Sequence, residues 1–179
     1  MLAGHPDIYS LPETHFFSTI YGKKKILKSF SFTKNKLDLI KTKLNNLNFE
    51  IEGMPTGFRR YLVKYYIFYF TKNIDLSAKS KGKHIWVEKT PIHLHYIAKI
   101  EKYIKGAKFV HIVRDGRETI ASLYNVTKKF PEAWGGERSL HNCVKRWSKD
   151  VMISLKYLKK QNHYVLSYKD LLYFSEKEL

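Results

Sequence analysis

Three residues from the middle of the chain onward carry the chemistry that is easiest to read. Lys89 stands at the end of "KHIWVEK", directly before Thr90 and Pro91. Arg114 ends the apolar run "KFVHIV" and opens "RDGRETIASLY", in which Ser122 lies about two helical turns further on. A strand that runs into an Arg and then a helix start suits an anion. A guanidinium there can make charge-assisted, often bidentate hydrogen bonds to a phosphate, and the helix N-terminus adds its dipole. Spacing alone leaves a second reading open, in which Arg114 pairs with Asp115 or another carboxylate and merely fixes the turn.

The elements that must position these residues alternate. "DIYSL" reads as a short strand, leading into "PETHFF". Leu37, Ile40, Leu44 and Leu47 recur at helical spacing behind a Ser/Thr-rich start. A helix is expected over Phe58 to Lys72, although its aromatic density also fits a strand. "KHIWVEK" is a strand. "PIHLHYIAKIEKYIKG" is a helix, with Pro near its first turn and Gly past its end. "KFVHIV" has the near-continuous apolar character of a strand in a buried parallel sheet. A helix follows from "DGRETIASLYNV", a long one spans Glu137 to Lys160, and "HYVLSY" is a last strand; "FPEAWGGERS" is a surface loop. Strand–helix alternation predicts an α/β fold with a parallel central sheet flanked by helices and right-handed crossovers. Ligands of such sheets bind beyond the carboxyl ends of the strands. Lys89 and Arg114 both stand there.

Composition sets the bounds. The chain has 179 residues, 44% hydrophobic and 15% aromatic, enough to build the core of one domain. Its net charge of +17 favours anionic partners such as nucleotides, acidic glycans, nucleic acid or a membrane surface. The Lys pairs are scattered and no nucleic-acid motif accompanies them, so a nucleic-acid partner is not expected. The single Cys143 excludes an intrachain disulfide and a Cys-based zinc site. "MLAGHPDIYS" is no signal peptide. The most apolar window, "YLVKYYIFYF", is about ten residues, half of what a membrane span needs.

Four segments in order then match one family. "AKFVHIVRDGRETIASLY", "EKTPIH", "HPDIYSLPETHFF" and "VLSYKDL" resemble segments of the sulfotransferases that use 3'-phosphoadenosine 5'-phosphosulfate (PAPS), in the branch that includes tyrosylprotein sulfotransferases and bacterial relatives. The resemblance implies a P-loop-nucleotide-kinase-like sulfotransferase fold and PAPS as co-substrate, with no metal. It implies that Arg114 and Ser122 hold the nucleotide's 3'-phosphate, that Lys89 is the catalytic Lys, that Glu13 is the base, and that Tyr168 approaches the nucleotide. A helix-cap role is the bland alternative for Glu13.

The chain also departs from that pattern. A Pro-Arg-Ser-Gly-Thr-Thr-like 5'-phosphosulfate loop is not found, Lys169 replaces the usual acid of the late element, and no C-terminal adenine-covering loop is found. An N-terminally truncated single domain, 1–179, without activity on its own, is therefore expected. Pro91 stands where the soluble small-molecule branch has its catalytic His, which favours Glu13 as base, with His93 the next candidate.

Other residues read as structure. His93 and His95, two apart, cannot share a helical face, and one of them packs. His111 is a buried strand residue and Trp147 is core. Arg117 is solvated or pairs with Asp115 or Glu118. Tyr61, Tyr65 and Tyr69 pack at i, i+4 spacing, and the acceptor pattern at Asn125 is a chance match. The acceptor is left open among glycan, peptide tyrosine, lipid and small alcohol. The alternative function is a non-catalytic module that binds anions, nucleotides or glycans. The cytoplasm is the favoured compartment for this stretch, or the Golgi lumen if a membrane anchor lies upstream.

Overall fold

A computed structural model describes residues 2–22, 34–47 and 54–173, the side chains of 34–36 apart. The chain divides into two compact units, Met1–Lys105 and Gly106–Leu179. Each pairs two parallel strands and covers them with helices.

In the first unit, strand β1 (Ile8–Ser10) pairs with β2 (Ile85–Val87), in the register Ile8↔Ile85 to Ser10↔Val87. Helices α1 (Phe16–Tyr21), α2 (Lys34–Asn45) and α3 (Val63–Ser80) lie between them in sequence, and α4 (Ile97–Tyr103) follows. The periodic leucines identified α2, with Ile40 and Leu44 buried; the Ser/Thr-rich start upstream of it lies outside the described residues. The aromatic segment resolves as a short 3-10 helix, Gly57–Tyr61, followed by α3. Helix wins over strand there because Ile67, Phe70, Ile74 and Ala78 recur every three or four residues and, with Tyr66, bury one face. Phe70 stacks on Phe16, centroids 3.8 Å apart, at the centre of a core that includes Leu11, Phe17, Ile20 and Tyr69. Each such side chain contributes about 1.5–3 kcal/mol on burial. The segment after Lys89 is a 3-10 helix, Pro91–Tyr96, before it becomes α4, and it turns His93 inward.

In the second unit, β3 (Phe109–Val113) pairs in parallel with β4 (His163–Ser167), from Phe109↔His163 to Val113↔Ser167. Between them run α5 (Gly116–Lys129), the short α6 (Pro131–Trp134) and α7 (Leu140–Lys156); α8 (Tyr168–Tyr173) follows β4. The expected loop around "FPEAWGGERS" is α6, with Pro at its start, ended by Gly135 and Gly136 at φ 70° and 107°. Despite its apolar run, β3 is covered on one face only. His111 is buried, whereas Val110 and Ile112, on the other side of the pleat, are each 54% exposed.

The parallel strands and flanking helices agree with the expected α/β class, as two separate two-stranded sheets among the described residues. No described helix is long and apolar enough to cross a membrane.

Candidate active site

The parallel register of β1 and β2 brings two distant segments off the same sheet edge. Leu11 N–H donates to Val87 O at 3.0 Å, continuing the pairing one residue past β1. Two residues further, Glu13 stands beside Lys89, and Lys89 Nζ donates to Glu13 Oε1. His15 Nε2 lies 3.6 Å from Glu13 Oε2. The Lys89 side chain is 71% exposed and that of Glu13 40%, so water screens the pair and it adds little to stability. The two groups are also chemically competent. An ammonium can neutralise charge on a leaving oxygen, and a carboxylate can take a proton from an attacking hydroxyl.

Beneath this pair lies a layer that the sequence did not disclose. Glu88, between β2 and Lys89, turns inward, its side chain 11% exposed. Its Oε1 accepts from the Thr14 hydroxyl (2.7 Å), the Thr14 N–H (3.2 Å) and the Thr90 hydroxyl. Its Oε2 accepts from His93 Nδ1 at 2.8 Å. His93 Nε2 accepts from Phe17 N–H at 3.2 Å, so the ring carries its proton on Nδ1 and both nitrogens are engaged. That leaves His93 without a free nitrogen to act as a base. The Thr90 and Thr14 hydroxyls accept in turn from His15 N–H (3.3 Å) and Phe16 N–H (3.2 Å). Three amides at the start of α1, which no helical carbonyl can satisfy, are thus capped by side chains gathered on Glu88. Burial pushes the Glu88 carboxyl up, but hydrogen bonds from His93, Thr90 and Thr14 outweigh it and hold it below its ordinary value.

The turn between Glu13 and α1 is strained. His15 has φ 52°, the one non-glycine residue with positive φ among those described. Such conformations cost on the order of 1–3 kcal/mol and persist where the surroundings hold them.

The second unit carries the residues expected to hold a nucleotide. Arg114 follows β3, and its Nε and Nη2 both bond Glu118 Oε2 at 3.0 Å. Its guanidinium also lies over the Tyr168 ring, 5.2 Å from the centroid, so two of the three expected nucleotide ligands stand together. Ser122 is exposed on α5, one turn beyond Glu118 on the same helical face. Asp115 caps α5, accepting from the N–H groups of Arg117 (2.9 Å) and Glu118 (3.2 Å). Those amides are therefore occupied, and an anion at this turn would rest mainly on side chains. Arg117 is almost fully exposed, 3.8 Å from Asp115.

Trp147, on α7, fixes the turn. Its Nε1 donates to Arg114 O at 3.2 Å, and its ring fills the space that a Cβ on Gly116 would need, 2.9 Å away. Glycine at 116 is what lets α7 approach the turn. His111 and His163 form a buried pair under β3 and β4. Ser154 Oγ donates to Asp150 O, so it accepts from His111 Nδ1–H at 3.1 Å. His111 Nε2 then accepts from His163 Nδ1–H at 2.8 Å. Burial, then the neighbouring His163, push the pKa of His111 down.

The model of the sulfotransferase family matches residues 1–179. The chain belongs to the sulfotransferase family. Its fold is similar to that of a sulfotransferase domain from the curacin biosynthetic pathway, at a TM-score of 0.55 and 17% identity over 99% of the chain. The chain spans 64% of the length of that solved domain. At this identity the likeness bears on the fold. No curated protein matches.

Proposed function

We propose that this member of the sulfotransferase family transfers a sulfuryl group from PAPS to a hydroxyl or amine acceptor. The observation that carries the reading is the contact between Glu13 and Lys89 at the carboxyl ends of paired parallel strands, between residues 76 apart in sequence. The acceptor oxygen attacks sulfur, and the bond from sulfur to the bridging oxygen of the phosphosulfate breaks. The acceptor proton passes to Glu13. The electron pair leaves on the bridging oxygen, where the Lys89 ammonium stabilises charge that is larger in the transition state than in the ground state. Arg114 and Ser122 hold the 3'-phosphate, and Tyr168, under the Arg114 guanidinium, approaches the nucleotide. Glu13 thus serves as base and Lys89 as charge partner. A glycan, peptide tyrosine, lipid or small alcohol can serve as acceptor in this scheme, within the branch that includes the tyrosylprotein sulfotransferases.

The test is Glu13→Gln in protein expressed from its full native reading frame, assayed by labelled sulfate transfer from PAPS. Turnover falls by about a hundred- to ten-thousandfold, as loss of a general base does, while affinity for PAPS stays near wild type. Transfer at the wild-type rate would place the base elsewhere.

A further inference from the structure

We propose that Glu88 is a positioning residue for sulfuryl transfer, holding the Glu13 carboxylate in place beside Lys89 through Thr14, Thr90 and the strained turn at His15. The inference rests on Glu13 and Lys89 being the catalytic pair. The Glu88 carboxylate bonds Thr14, Thr90 and His93 rather than either of the pair. Glu88 immediately precedes Lys89, and it grips the residue after Glu13 by both its N–H and its hydroxyl. Thr90, the residue after Lys89, donates to the same oxygen. One buried carboxylate therefore binds the two residues that flank the pair on their inner side.

Without Glu88, little else would keep Glu13 where it is. The Glu13–Lys89 contact is exposed and weak, and the left-handed backbone at His15 would relax if it were released. The N–H of His15 reaches Thr90 Oγ1, and those of Phe16 and Phe17 reach Thr14 and His93. Thr14, Thr90 and His93 all donate to Glu88. A buried carboxylate is costly unless its donors are supplied, and here four donors converge on it. Stability alone would be served as well by apolar residues of similar volume in place of the whole cluster. The network instead fixes the orientation of the two side chains above it, where a misplacement of about 1 Å can cost a hundredfold in rate.

The experiment is a double-mutant cycle of Glu88→Gln with Glu13→Gln in the full native protein, read as labelled sulfate released from PAPS to water and to a panel of hydroxyl acceptors. Gln keeps the size of Glu88 but replaces one acceptor oxygen with a donor NH2. Either the His93 or the Thr14/Thr90 bonds then fail. The expected result is a kcat about ten- to a hundredfold lower for Glu88→Gln, with KM for PAPS within about twofold of wild type. In the Glu13→Gln background the same change has no further effect on kcat, because there is no base left to misplace.

An equal loss in both backgrounds, or an unchanged kcat for Glu88→Gln, overturns the proposal while leaving the role of Glu13 intact. Wild-type turnover by Glu13→Gln alone, or no release from PAPS by the wild type, overturns the catalytic reading and this inference with it. If Glu88→Gln does not unfold cooperatively, Thr90→Val takes its place in the cycle. It removes one donor and the His15 anchor, and it is expected to show a smaller loss with the same non-additivity; an additive loss for that variant overturns the proposal.

Discussion

Gly116→Ala tests how the Arg114 turn is held. An added Cβ would lie 2.9 Å from two carbons of the Trp147 ring and 3.2 Å from a third, so the indole must move. Moving it breaks the bond from Nε1 to Arg114 O, a loss of about 1 kcal/mol. Overpacking adds about 1–3 kcal/mol. The lower conformational freedom of unfolded Ala returns about 0.4–1 kcal/mol. The balance is a destabilisation of about 1–3.5 kcal/mol, each kcal/mol lowering Tm by roughly 2–4 °C for a chain of this size. Trp147→Phe, which keeps much of the ring and removes the donor, should cost about 1 kcal/mol. Thermal and urea unfolding measure both, and calorimetry with 3',5'-adenosine bisphosphate reads whether the displaced turn also weakens binding. A Gly116→Ala protein as stable as wild type, with unchanged affinity, would refute the claim that the indole locks this turn.

Two further outcomes are expected. Arg114→Ala weakens binding of 3',5'-adenosine bisphosphate by about 1.5–3 kcal/mol and Ser122→Ala by about 1 kcal/mol, measured by calorimetry; equal affinity for wild type and Arg114→Ala sinks the 3'-phosphate assignment. Stability to urea falls as pH drops below about 6.5, because unfolded His111 takes up a proton that the buried ring resists, with a slope of at most about 1.4 kcal/mol per pH unit. Glu88, held below its ordinary carboxylate value, adds stability that is present above that value and lost only at lower pH, as the folded carboxyl protonates. His111→Phe removes the upper window and Glu88→Gln the lower one.

How much of this was legible in the sequence depended on the range of the cause. Lys89 and Arg114 could be read because each ends an apolar strand, which is a local pattern. Ile40 and Leu44 gave α2 by period alone. Glu13 is different. Nothing local marks it, and only the resemblance singles it out; the structure adds its contact with Lys89. Glu88 was missed because its partner Thr14 is 74 residues away and its other partners look like ordinary strand-end residues. The His111–His163 bond spans 52 residues, so burial of His111 could be expected but its partner could not. The apolar run of β3 suggested cover on both faces, yet hydrophobic composition does not say which face of a pleat finds a neighbour, and Val110 and Ile112 stay exposed.

The most direct measurement is a single-turnover transfer from labelled PAPS by wild type and Lys89→Ala, expressed from the full native reading frame, with donor occupancy determined on the same samples. If Lys89 stabilises the leaving bridging oxygen, Lys89→Ala fills with donor nearly as the wild type does and transfers sulfate about a hundredfold or more slowly. Equal single-turnover rates at equal occupancy would contradict the account, since the ammonium beside Glu13 would then have no part in the chemistry.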